Sequence, residues 1–209
     1  IALKKEIPHL LFTGDPGLGK TSLAKVLVRD VLDCQHLYIN ASDESGVDTI
    51  RNKVVNFAQT KSIDGKLKVV ILDEVDGLSS VQAGAGKTSA QQALRNVMEE
   101  YSSNVRFILT ANYVYKVIPA LRSRCQEFDL TPPFDECAKR CIYILKKQKV
   151  TIIKESEDKI SKLIKSCYPD LRKMINTLEK YTINNVLTIG EEASAAEFAQ
   201  TIFDMLFVN

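Results

Sequence analysis

The sequence predicts an α/β protein in which a five-stranded parallel sheet, flanked by helices, is followed by a small all-helical domain. Two observations carry this prediction. Short apolar runs at 8–13, 36–40, 67–72, 105–110 and 126–130 alternate with helical patterns near 20–33, 47–60 and 89–101. Such alternation builds a sheet covered on both faces. Thr131-Pro132-Pro133 then interrupts the chain, because proline ends both strand and helix patterns, and only helical patterns follow, at about 134–149, 155–167, 169–183 and 194–207. The third of these begins Pro169-Asp170-Leu171, with proline expected in the first turn. The predicted divisions are 1–131, 132–190 and, at 191–209, either the helical start of a further segment or a tail.

The first connection is a phosphate-binding P-loop. Gly14-Asp15-Pro16-Gly17-Leu18-Gly19-Lys20-Thr21 follows the first strand, Pro8 to Thr13, and opens a helix beginning with Ser22 and Leu23. Glycines let the backbone close around phosphate oxygens with several N–H groups pointing inward, and the helix N-terminus adds positive potential. Lys20 is placed to reach the β- and γ-phosphates of a nucleoside triphosphate, and Thr21 to hold magnesium through its hydroxyl.

The third strand, Val69-Val70-Ile71-Leu72, delivers Asp73 and Glu74 at its C-terminal edge, where ligands bind in parallel sheets. Asp73 suits magnesium, directly or through water, and Glu74 is placed to polarise the water that attacks a γ-phosphate. Asp76 continues the acidic run into the loop. Asn112 ends the next strand; an amide there either orients the attacking water or caps a turn. Asn40 ends the second strand and has the same two readings. Arg124 lies in Ser123-Arg124-Cys125, just before the last strand. It is either a solvated surface charge or an arginine supplied to a neighbour's phosphoryl transfer.

These residues together resemble the clamp-loader ATPases of the AAA+ superfamily, the small subunits of replication factor C and their phage counterparts. The stretches 40–51 and 93–109 are similar to family signatures, and the likeness covers roughly residues 7–185. It implies a P-loop AAA+ domain with a helical lid, ATP and Mg2+ as cofactors, and ATP hydrolysis that opens and loads a sliding clamp on primed DNA. It also implies partners: other clamp-loader subunits in a ring or spiral, the sliding clamp, and primer-template DNA gripped by its phosphates. On the matching positions, Asn112 becomes a sensor of the γ-phosphate and Arg124 a finger acting on the adjacent subunit's ATP. Arg172 becomes a second sensor on the lid helix, and Asn40 a switch restraining Glu74. Arg51, Lys87 and Arg95 are the candidate DNA-phosphate contacts. Two other readings stay open, a different AAA+ DNA motor of the branch-migration type and a scaffold that binds ATP without cleaving it.

Several features narrow the class further. No apolar run approaches a membrane span, and no signal peptide leads the chain. Five scattered cysteines, without a CxxC pair, read as reduced thiols of an intracellular protein, placed in the cytoplasm or nucleoid, or in the nucleus of a eukaryote. Residues 131–190 carry twelve Lys and Arg against seven Asp and Glu, which suits either a polyanion or a solvated helical surface. His9 and His36 sit at strand starts with no metal partner at ligand spacing and are expected to be structural. The run 81–88 mimics a second P-loop but has Val81 where glycine is required and no preceding strand, leaving an inserted loop or a DNA-facing one. The chain begins with Ile and ends after an apolar helical stretch, which reads as a fragment of a longer protein.

Overall fold

The computed structural model describes residues 7–43, 47–60, 67–80, 89–152 and 157–187. The chain divides into two compact units, Ile1–Leu130 and Thr131–Asn209. In the first, β1 (Leu10–Thr13), β2 (His36–Asn40), β3 (Lys68–Asp73), β4 (Val105–Ala111) and β5 (Gln126–Asp129) form one sheet in the order β2-β3-β4-β1-β5. Every pairing is parallel. The helices are α1 (Lys20–Val26), α2 (Val47–Gln59), α3 (Ala90–Glu100) and the short α4 (Pro119–Arg122).

The period-two alternation of the strands sorts the core into two layers. Leu11, Val70, Leu72, Phe107 and Leu109 pack against Val54 and Ala58 of α2 and Leu94, Val97 and Met98 of α3. On the opposite face Leu10, Phe12, Val69, Ile71 and Ile108 pack against Ala24, Val28 and Leu32. All six residues of β3 are buried, as a central strand covered on both faces requires. The first helical stretch is as long as its pattern predicts, but its second half, Leu27–Leu32, winds as a π-helix.

In the second unit α5 (Phe134–Lys147), α6 (Glu157–Cys167) and α7 (Leu171–Lys180) enclose Cys137, Cys141, Leu145, Ile164, Cys167, Met174 and Leu178. Besides the helices there is a small sheet, β6 (Thr151–Ile152), β7 (Thr182–Ile183) and β8 (Val186–Leu187), in the order β6-β8-β7. Two-residue strands are too short to show alternation, so an all-helical pattern could not reveal them. Pro169 also falls outside α7. The helix starts at Leu171, because Asp170 is its N-cap and accepts from the Lys173 N–H at 2.8 Å. The helical pattern at 194–207, and with it the tail 191–209, lies outside the described residues. Among the described residues no helix is long and apolar enough to cross a membrane.

Candidate active site

The sheet order places β4 between β1 and β3, so the C-terminal ends of three neighbouring strands open onto one edge. The P-loop leaves β1 there, Asp73 and Glu74 leave β3, and Asn112 leaves β4. Gly14, Gly17 and Gly19 have φ of 125°, 84° and 86°. At Gly19 a Cβ would meet nothing within 4 Å, so conformation, not space, demands glycine. Gly19 is also the N-cap of α1 and, having no side chain, supplies no capping bond of its own to the first turn. The first-turn amides are thereby left to a ligand, an arrangement suited to phosphate. Leu18, 8% exposed, anchors the loop in the core, while Asp15, Pro16 and Ser22 face solvent.

Lys20 is buried, and its ammonium donates to the carbonyls of Gly14 at 2.7 Å and Asp15 at 2.8 Å. Burial lowers its pKa, while the carboxylates of Asp76, Asp73, Asp15 and Glu74 oppose that shift.

Asp73 is the centre of the site. The residue is 6% exposed, and its carboxyl group accepts from three hydroxyls. Thr21 Oγ1 lies 2.7 and 2.9 Å from its two oxygens, Thr110 Oγ1 2.6 Å from Oδ1, and Tyr38 OH 2.8 Å from Oδ2. A carboxyl group this buried needs such donors to offset lost hydration. Thr21 and Asp73, in direct contact, form the hard oxygen set that magnesium prefers, so the residues present fit that ion. Thr110 Oγ1 also accepts the Glu74 N–H at 3.0 Å. Glu74 itself has φ 58° and ψ 47°, left-handed backbone that costs an L-residue on the order of 1–2 kcal/mol. This conformation turns the chain sharply as it leaves β3.

Four residues of this edge escape a motif search. Tyr38 points to the same face as Asn40 and Asp73, because Asn40 is paired with Asp73 and strand residues alternate. Its phenol is pushed up to about 12, by burial first and then by the bond to Asp73 and neighbouring carboxylates. Lys25 stands over its ring at 4.2 Å. Thr110 is the second. The third is Asp76, which accepts the N–H groups of Asn112 at 3.2 Å and Tyr113 at 3.1 Å, tying the loop after β3 to the tip of β4. The fourth, Gln91, is fully buried and bonded to the Leu78 and Lys116 carbonyls at 3.0 and 2.9 Å and to the Ile118 N–H at 2.8 Å. Period two in β2 and the apolar spacing Gln91, Leu94, Met98 were the available signals.

The remaining predicted residues are dispersed. Asn40 Oδ1 accepts from the Ser42 N–H at 3.1 Å and hydroxyl at 2.9 Å, and Nδ2 donates to Asp43 Oδ2 at 2.7 Å. Its side chain therefore takes the turn-capping alternative. Arg124 donates from Nη1 to the Ala120 carbonyl at 2.6 Å and from Nη2 to Glu99. Arg95 faces the other Glu99 oxygen at 3.7 Å. Arg51 is exposed on α2. Arg172 is the second residue of α7, exposed. Lys87 and the run 81–88 lie outside the described residues. His9 is structural as expected: its Nδ1 accepts the Phe107 N–H at 3.1 Å, and burial, with Arg106 nearby, lowers its pKa to about 4.

Comparison with known proteins agrees with this geometry. The profile of the ATPase family associated with various cellular activities (AAA) matches residues 10–132. A replication factor C small subunit from Archaeoglobus fulgidus is 42% identical over 198 residues, covering 92% of this chain and 57% of that protein. One from Methanococcus vannielii is 41% identical over 182 residues, covering 84% of this chain and 54% of that protein. The chain thus spans little more than half the length of these relatives. A solved structure of a Thermotoga maritima RuvB variant has a TM-score of 0.65 at 17% identity, covering the whole of this chain and 65% of that one, a likeness of fold alone. With the P-loop, the Asp73–Glu74 edge and the parallel sheet all inside the matched region, the chain belongs to the AAA family of ATPases and is similar to replication factor C small subunits.

Proposed function

We propose that this chain is the ATP-hydrolysing part of a sliding-clamp loader subunit. The observation that carries the reading is the convergence of Thr21, Thr110 and Tyr38 on buried Asp73, with Glu74 held beside it on a left-handed turn. The P-loop amides and Lys20 would bind the β- and γ-phosphates of ATP. Magnesium, held by Thr21 and Asp73, would neutralise phosphate charge when bound. Glu74 would accept the proton of the attacking water, and Asn112, fixed through Asp76, would orient that water or the γ-phosphate.

Arg124 would act in trans on the ATP of a neighbouring subunit, and Arg172 on the ATP of its own. A switch role for Asn40 requires its bonds to Ser42 and Asp43 to break first. The proposed partners are further loader subunits, the sliding clamp and primer-template DNA, the last met through its phosphates by Arg51, Lys87 and Arg95. Binding of ATP would order the assembly to open the clamp, and hydrolysis would release it.

ATP turnover by the full-length protein with its partner subunits, measured with and without a sliding clamp and primed DNA, tests this. Stimulation by both together is expected. Stimulation by DNA alone would instead indicate a different DNA motor, and ATP binding without turnover a scaffold.

A further inference from the structure

We infer that Glu99 is a positioning residue for Arg124, fixing the guanidinium in the orientation in which it is offered to the neighbouring subunit. The inference rests on the trans-acting role proposed for Arg124. Glu99 lies in the last turn of α3, and Arg124 follows α4, so two separate elements meet at this pair. One guanidinium nitrogen of Arg124 donates to the Ala120 carbonyl at 2.6 Å, and another to Glu99 Oε1. Two anchors on different nitrogens fix both the place and the plane of the group, which one anchor would leave free to swivel.

Glu99 is itself held. Its second oxygen faces Arg95 Nη2 at 3.7 Å, one helical turn earlier on α3. One carboxylate therefore serves two arginines, and the cluster of three keeps a net positive charge. Only part of the Arg124 donor set is spent on these anchors, so N–H groups remain to meet a phosphate. The gain is entropic: a long arginine side chain has many rotamers, and part of that freedom is already surrendered before the neighbour arrives. A surface salt bridge of this kind adds little to stability, which separates a positioning role from a structural one.

The test uses the full-length protein in its complete assembly, with Glu99→Ala, Glu99→Gln, Arg124→Ala and the Glu99→Ala/Arg124→Ala double variant. Glu99→Ala is expected to lower kcat for ATP by about tenfold to a hundredfold, the scale of a misplaced catalytic group. KM for ATP and the thermal midpoint should stay at wild-type values. Glu99→Gln should be milder, because its amide oxygen still accepts from Arg124. The double variant should turn over no more slowly than Arg124→Ala alone. A Glu99→Ala assembly at or above the wild-type rate overturns the inference, as does a double variant slowed by the full product of the single effects. Wild-type turnover by Arg124→Ala would overturn the trans-acting role as well, and is distinguished by that single variant.

Discussion

Replacing Gln91 by leucine keeps the size of the side chain and removes its three hydrogen bonds. The Leu78 carbonyl is bonded to it at a buried site, while the bonds at Lys116 and Ile118 are only partly buried. An orphaned buried polar group costs about 1–3 kcal/mol, with less lost where water can reach the group. One full penalty and two partial ones, offset in part by the added apolar side chain, give a net loss of about 2–4 kcal/mol. With a urea dependence of about 2 kcal/mol per molar, the unfolding midpoint should fall by about 1–2 M. Urea unfolding followed by circular dichroism measures this directly. Because Gln91 joins the loop after β3 to the loop after β4, ATP turnover per folded molecule should fall too. A midpoint within about 0.3 M of wild type would show instead that the amide contributes no more than an apolar filler.

Tyr38→Phe removes one of the hydroxyl donors on Asp73, and residues behind metal ligands typically change metal affinity by about 10–100-fold. The magnesium concentration that half-saturates Mg-dependent ATP binding should rise by about tenfold, while metal-free nucleotide affinity stays the same; calorimetry reads both. His9 accepts the Phe107 N–H only when neutral, and its pKa falls from 6.5 to about 4 on folding. Its contribution is therefore complete above pH 6.5 and is lost as the pH falls toward 4. His9→Asn, which keeps an acceptor, should flatten that part of the stability profile measured by urea unfolding at pH 7 and pH 5. Glu74→Gly relieves the left-handed backbone and should raise stability by about 1 kcal/mol while abolishing turnover, checked by thermal unfolding and ATPase assay.

Much of the fold was legible because its signals are local. The P-loop glycines occupy positive φ that few other residues adopt, and β3 is an uninterrupted apolar run because both its faces are covered. Asp73 and Glu74 were legible for the same reason, since a buried strand has few reasons to end in two acids. The hydrogen-bond partners were not. Thr110 and Tyr38 reach Asp73 from other strands, and only the sheet order and register bring them together. Asp76 read as one more loop acid, yet it clamps the tip of β4. Asn40 carried two readings, and its bonds follow the local one, because Ser42 and Asp43 are close in sequence and need no rearrangement. The surroundings of Arg124 depend on Glu99, 25 residues earlier in the chain, a pairing that spacing alone could not disclose.

If Glu74 is the general base and the P-loop and Asp73 are the binding groups, binding and hydrolysis separate in one variant. Glu74→Gln in the full-length assembly, assayed for ATP affinity and for single-turnover hydrolysis, decides this. ATP affinity should stay within about twofold of wild type while hydrolysis slows by about 100-fold or more, the scale of a lost general base. Hydrolysis at the wild-type rate would remove Glu74 from that role.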